Sequence, residues 1–275
     1  MMSLFQKLAL GGGGVKGVLH IGALQELATH QPLVFPEGVY GSSIGAIIGT
    51  YIAFGLPVDD KMVELTKKYL SLSNVVPQVS VQEVSKVFSS KGLFTMDVFE
   101  KSVIHMFLEA GLDIRGKVLG DAKMPLYIIT SNITKGVPAI FSKNVPVITA
   151  LKCSCCLPGI FRPQEVYGQL YLDGGILTPC ISVHANGGLC ISLKKPSRTS
   201  LTAKTLQKIS PLTYIHELYD MSMNHVHELQ KTENTLCLLY PKLHTESDLD
   251  DFDLNDILNY SRNSMRDFLA SKRGL

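Results

Sequence analysis

The sequence predicts a single α/β domain over residues 1–275, in three layers: a mostly parallel central sheet between helices, with a helical extension over about 204–275. Three observations carry this. A short apolar strand, a glycine run and an amphipathic helix follow one another at the N-terminus. A second apolar strand then runs straight into another glycine-bracketed turn and an apolar helix. Such a strand–helix–strand unit joins parallel strands by a right-handed crossover and leaves ligand sites at the strands' carboxyl ends, where both glycine motifs fall.

Taken in order, Phe5 to Leu10 reads as the first strand and about Gly17 to His30 as the first helix, with Val18, Ile21, Leu24, Leu27 and Ala28 at helical spacing. Pro32 and Pro36 stop it. Val39 and Tyr40 begin the second strand, and Ala46 to Phe54 is a buried helix closed by Gly55. Val58 to Leu70 and Thr95 to Ala110 are amphipathic helices, the latter with Thr95 as N-cap, joined by a polar connection from Ser71 to Ser90. Leu126 to Ile133 and Val137 to Phe141 are strands around a Lys135-Gly136 turn. Val147 to Cys156 is a helix stopped by Leu157-Pro158-Gly159, and Leu170 to Leu172 and Leu189 to Leu193 are short strands. Lys194 to Lys208 is a polar, basic surface loop. A long helix (Pro211 to Lys231), a strand (Thr235 to Tyr240), an acidic turn (Glu246 to Asp256) and a last helix to about Ser271 complete the chain.

Composition narrows the function. With 26 Lys and Arg against 24 Asp and Glu, the net charge of +2 provides no basic field for nucleic acid. The six cysteines, three of them at 153, 155 and 156, fit neither an extracellular disulfide framework nor the C-x-x-C pairs of structural zinc, so no metal is expected. Residues 38–58 carry no charge, but their five glycines, Gly38, Gly41, Gly45, Gly49 and Gly55, and Pro57 argue for strand, turn and helix rather than a membrane span. Residues 1–10 lack the pattern of a secretory signal, and the expected location is cytoplasmic, peripheral to membranes.

Three motifs carry chemistry. Gly41-Ser42-Ser43-Ile44-Gly45 matches G-x-S-x-G between a strand and a helix, the context of a nucleophile elbow that lifts Ser43 Oγ clear of the backbone at a helix N-terminus. Gly12-Gly13-Gly14-Val15-Lys16-Gly17 offers converging backbone N–H groups to an anion. It also satisfies G-x-G-x-x-G, with Glu37 20 residues past Gly17, so a dinucleotide site is a rival. Glu37 precedes the second strand, however, whereas a ribose-binding acid belongs at its carboxyl end. A P-loop is ruled out because the order is Lys16-Gly17. Asp173-Gly174-Gly175, 130 residues after Ser43, places a carboxylate at the end of a third strand. All three motifs are expected at strand ends on one side of the sheet. His184, His225 and His227 are alternative bases should a triad operate.

In this order, with Ser154-Cys155-Cys156-Leu157-Pro158-Gly159-Ile160-Phe161-Arg162-Pro163 between the second and third, the motifs resemble the patatin-like phospholipase family over about residues 4–183. The resemblance implies a patatin-like fold and a cofactor-free serine acyl hydrolase acting on phospholipids, lysophospholipids or acylglycerols. Matched by position, Ser43 is the nucleophile, Asp173 the general base, and Gly12, Gly13 and Gly14 the oxyanion hole. Lys16, Gly17, Gly41, Gly45, Gly174 and Gly175 support the motifs. The implied partners are a lipid ester and a membrane or micelle surface; the need for an activating partner is left open. Three departures stand out: Gly11 before the glycine run, the bulky Ile44 after the nucleophile, and Thr178-Pro179-Cys180 after the Asp motif. A catalytically silent lipid-binding protein and a lipid acyltransferase use the same cleft and remain open alternatives.

Overall fold

The computed structural model describes residues 4–75, 91–194, 202–240 and 253–273. The mixed sheet has the order β10-β9-β1-β2-β4-β8-β7, with β5 also paired to β4. Its strands are β1 (Lys7–Leu10), β2 (Gly38–Ser42), β4 (Leu126–Asn132), β5 (Val137–Phe141), β7 (Gln164–Val166), β8 (Gln169–Asp173), β9 (Leu189–Leu193) and β10 (Thr235–Leu238). A separate ribbon pairs β3 (Gly92–Phe94) with β6 (Gly159–Phe161). β10, β9, β1, β2 and β4 run parallel, whereas β5, β8 and β7 pair antiparallel. The parallel half reads as near-continuous apolar runs because both its faces are covered. Alternate residues of one strand accordingly enter different cores: Leu8 and Leu10 join the large core, Ala9 the small one on the opposite face with Ile129, Cys180, Ile181, Ala185 and Cys190.

The helices of the large face include α1 (Val18–Ala28), α2 (Ile44–Ala53), α3 (Asp60–Leu70) and, past the one-turn α4 (Leu72–Val75), α5 (Asp97–Glu109) and α6 (Val147–Ser154). Asp59 caps α3, its carboxylate accepting the Met62 N–H at 3.1 Å. The cap expected at Thr95 falls instead on Met96, because the Thr95 hydroxyl donates to the Asp97 carboxylate at 2.7 Å rather than accepting a helix N–H. The one-turn α7 (Ala203–Leu206) and the long α8 (Pro211–Gln230) follow β9. Residues 76–90 of the polar 71–90 connection, 195–201 of the basic loop and 246–252 of the acidic turn lie outside the described residues.

The C-terminal part is more than a helical extension. β10 forms the edge of the main sheet against β9, and α9 (Leu254–Arg273) packs along α1. Arg266 makes a two-pronged ion pair with the nearly buried Glu26 of α1, at 3.0 and 2.9 Å, and holds its carboxyl below the ordinary range. The two helix backbones meet at Gly22, where a Cβ would lie 2.1 Å from Ser261 Oγ and 2.8 Å from the Leu258 carbonyl oxygen. Gly22→Ala is therefore expected to destabilise the protein by about 1–3 kcal/mol through overpacking, read as a lower midpoint of chemical denaturation.

The feature that positions the site is the division of β4. Its first half, Leu126 to Ile129, pairs with β2, ending at Ser42 opposite Ile129. Its second half, Thr130 to Asn132, pairs antiparallel with β8, beginning with Asp173 opposite Thr130. β5 occupies the other edge throughout this stretch. β2 and β8 therefore share one edge of β4 and meet there end to end. Asp173 does reach the region of Ser43, but not as a carboxyl end aligned with that of β2, as the sequence suggested. It arrives from the opposite direction, because the turn at Lys135-Gly136 and the β7–β8 hairpin reverse the chain.

Candidate active site

Ser43 follows β2 directly and precedes α2, with φ 54° and ψ −128°. A positive φ is unusual for a residue with a side chain and stores strain that the surroundings must hold. They hold it closely. Gly45 sits where a Cβ would be 2.0 Å from the Leu10 carbonyl oxygen, and at Gly41 one would be 2.5 Å from the Ala46 Cα, so both glycines of the motif are required by backbone contact. The Ser43 N–H donates to Ser154 Oγ at 2.9 Å, and the Ser154 hydroxyl donates to the Ile129 carbonyl at 2.6 Å.

The glycine run passes against this turn. At Gly12 a Cβ would lie 3.1 Å from Ser43 Cβ. The Ile191 carbonyl accepts the Gly11 N–H (2.9 Å) and the Gly13 carbonyl accepts the Lys16 N–H (3.3 Å). Among the described residues the N–H groups of Gly12, Gly13 and Gly14 donate to no backbone carbonyl of a turn, loop or cap. Gly14 has φ 58° and opens a 3-10 turn, Gly14–Gly17, that holds the buried Lys16 and leads into α1. Gly17 packs on Ile44. Below the run lies His20, whose Nε2 is 2.8 Å from the Gly11 carbonyl. Burial pushes this imidazole down to about 4, so it is neutral and its Nε2–H donates to that carbonyl. His20 was not singled out in the sequence; its only signal there is a lone histidine on an otherwise apolar helix face.

Asp173 is fixed through its backbone as well. Its N–H donates to the Cys156 carbonyl at 2.9 Å, and its carbonyl accepts the Ser131 hydroxyl at 2.8 Å. Oδ1 accepts the Gly175 N–H at 2.8 Å, while Oδ2 is buried without a hydrogen bond of ordinary geometry. Burial raises this carboxyl to about 6; the Ser43 hydroxyl and the Gly175 N–H offset part of the rise. Gly174 packs against Ser42 and the Ile129 carbonyl. Ser43, Gly14 and Ile44 line a half-open apolar cavity completed by Ile47, Leu70, Val75, Phe99, Cys155, Leu157 and Phe161.

The structure thus brings Gly12, Gly14, Ser43 and Asp173 to one place, with Lys16, Gly17, Gly41, Gly45, Gly174 and Gly175 shaping the turns around them. Among the described residues none of the alternative histidines is hydrogen-bonded to Ser43 or Asp173: His227 pairs with Ser192 Oγ at 2.7 Å, His184 belongs to a 3-10 turn beyond the Asp motif, and His225 is exposed on α8. Glu37 pairs with Lys7 at 3.2 Å, at the amino end of β2, away from the place a ribose would occupy. All six cysteines are free thiols. Among the described residues no cluster of His, Cys, Asp and Glu is arranged for a metal, and no helix is long and apolar enough to cross a membrane.

Keeping the Asp173 carboxylate ionised in this setting costs stability. With an ordinary value of 3.8 and a folded value of about 6, the cost is absent below pH 3.8, grows as pH rises to 6, and amounts to about 3 kcal/mol at neutral pH. Asp173→Asn is expected to raise Tm at pH 7 and to lose that advantage below about pH 4, a crossover that thermal melts across pH would register.

The chain is similar to known proteins in both sequence and fold. The chain is 27% identical over 228 residues to the uncharacterized NTE family protein Rv1063c of Mycobacterium tuberculosis, covering 78% of this chain and 58% of that one. It is 26% identical over 178 residues to human patatin-like phospholipase domain-containing protein 6, covering 62% of this chain and 12% of the other. It thus spans somewhat over half the length of the mycobacterial relative and a small part of the human one. The crystal structure of VipD from Legionella pneumophila superposes with a TM-score of 0.53 at 15% identity, covering 97% of this chain and 67% of that one, which shows a shared fold. Residues 8–183, from β1 through the Asp173 turn, match the family model for patatin-like phospholipases, and the chain belongs to that family.

Proposed function

We propose that the protein hydrolyses carboxylic esters of lipids, with Ser43 as nucleophile, Asp173 as general base and the Gly12, Gly13 and Gly14 N–H groups as oxyanion hole. The observation that carries this is a serine on a strained elbow, beside a buried carboxylate, at the wall of an apolar cavity. Burial makes Asp173 a stronger base than an exposed aspartate, which suits it to a neighbouring hydroxyl.

In the first step Ser43 Oγ attacks the ester carbonyl carbon while its proton passes to Asp173. The carbonyl oxygen becomes an oxyanion facing the glycine run, each donor there worth about 3 kcal/mol in the barrier. The tetrahedral adduct collapses, the C–O bond to the alcohol breaks, and Asp173 returns the proton to the leaving alkoxide. Water then attacks the acyl-serine with Asp173 again accepting a proton, and the fatty acid departs as Ser43 is restored. The acyl chain occupies the apolar cavity, where Ile44, bulkier than the residue expected after the nucleophile, narrows the space beside the reacting carbon. The lipid is taken from a membrane or micelle surface.

Two measurements test this. A fluorophosphonate probe is expected to add once, at Ser43, as read by intact mass and peptide mapping, and Ser43→Ala to remove the adduct; an unlabelled protein or labelling at Ser42 overturns the assignment. With a soluble short-chain ester, kcat/KM is expected to rise with pH through an inflection near 6, as Asp173 loses its proton, and Asp173→Asn to abolish turnover. Persistence of most activity in Asp173→Asn would sink the dyad.

A further inference from the structure

We infer that Ser154 is a positioning residue of the site, its hydroxyl locking the Ser43 elbow while the carbonyl two residues later locks Asp173. This rests on the catalytic reading of Ser43 and Asp173 above, and goes beyond it by assigning the element that sets their mutual geometry.

Ser154 is the last residue of α6 and is fully buried. Its hydroxyl has one proton to give and accepts another, and both capacities are used on the reacting region. It accepts the Ser43 N–H at 2.9 Å and donates to the Ile129 carbonyl at 2.6 Å. Ile129 is the β4 residue opposite Ser42, at the point where β2 gives way to β8. Ser154 thus ties the elbow's amide to the strand that the elbow leaves.

The same segment reaches the other partner. The Cys156 carbonyl accepts the Asp173 N–H at 2.9 Å, and Cys155 lies between, its buried thiol in the cavity wall and close enough to Asp173 to feel its charge. Ser154 and Cys156, two residues apart, therefore hold the backbones of two residues that are 130 positions apart. Ser43 lies one residue past the last pair of the β2–β4 ladder, and its φ of 54° turns the chain that follows out of strand direction. Without the Ser154 hydroxyl that amide would be a buried donor with no partner beside a strained residue, and the elbow would be free to relax. Engagement by Ser154 also removes the Ser43 N–H from the set available to an oxyanion, which leaves that task to the glycine run.

A displacement of about 1 Å in a reacting pair costs on the order of 10²-fold in rate. Ser154→Ala is therefore expected to lower kcat for a soluble ester by about that factor with KM nearly unchanged, and to slow fluorophosphonate labelling at Ser43 in parallel. Ser154→Thr, which keeps the hydroxyl, is expected to recover most of both rates. A loss of packing alone would not separate kcat from KM, nor depend on the hydroxyl. Circular dichroism and thermal melts of each variant establish that it is folded; if Ser154→Ala does not fold, Ser154→Cys, which keeps the volume and weakens the hydrogen bonds, carries the same comparison. Wild-type rates in Ser154→Ala, or equal losses in the alanine and threonine variants, overturn the positioning role. Those outcomes are distinct from failure of the catalytic reading, which would show as an unlabelled wild-type protein or an active Ser43→Ala.

Discussion

The arrangement depends on one buried carboxylate with an unpartnered oxygen. A fully desolvated Asp is among the most costly groups a core can hold, and it persists only where neighbouring structure over-determines its place. Here the backbone does so on both sides of the residue, through the Cys156 carbonyl and the Ser131 hydroxyl. The Gly175 N–H satisfies one carboxylate oxygen, and the other is left facing the region of Ser43. The division of β4 between β2 and β8 is what makes this possible, because a continuous neighbouring strand would have occupied that edge with a ladder instead of two chain ends.

Close approach of backbones is the second constraint, and glycine supplies it where side chains would collide. Gly45 lies against the Leu10 carbonyl and Gly12 against Ser43, so the end of β1, the glycine run and the elbow form one tightly packed unit. His20 anchors the start of that run from below with a neutral N–H. The elbow's strain is thus contained by β1 and α1 on one side and by α6 and β4 on the other.

The local units of the fold were legible because they rest on short-range pattern: β5 and β9 match their sequence reading residue for residue, and α8 matches within one. The glycine spacings also pointed to the elbow, since they report steric demands of the turn itself. What escaped reading was set by distant partners. β3 and β6 are three residues each and exist only by pairing with each other. The antiparallel direction of β8 follows from the hairpins around it, not from its own composition. Ser154 stood in the sequence as one small residue among cysteines, and its role arises from a contact across 111 positions. His20 was hidden for a similar reason, as its partner is a backbone carbonyl, which leaves no mark in a sequence pattern.

Two buried titrating groups flank Ser43, and their linkages to folding have opposite signs. His20, held near 4 against an ordinary 6.5, contributes stability that is whole above pH 6.5 and is lost as pH falls toward 4, about 3 kcal/mol in all. Asp173, held near 6 against 3.8, imposes a cost of similar size that is relieved over nearly the same descent. Between about pH 6 and 4 the two slopes oppose each other, so the fold loses little from this pair even as Asp173 takes up its proton. The consequence is that protonation of the site and unfolding of the site are decoupled: the carboxylate is neutralised on acidification while the glycine run, pinned by His20, and the elbow, pinned by Ser154, keep their places. A carboxyl that titrates near 6 inside an apolar core is thereby kept from making the whole fold sensitive to its own titration.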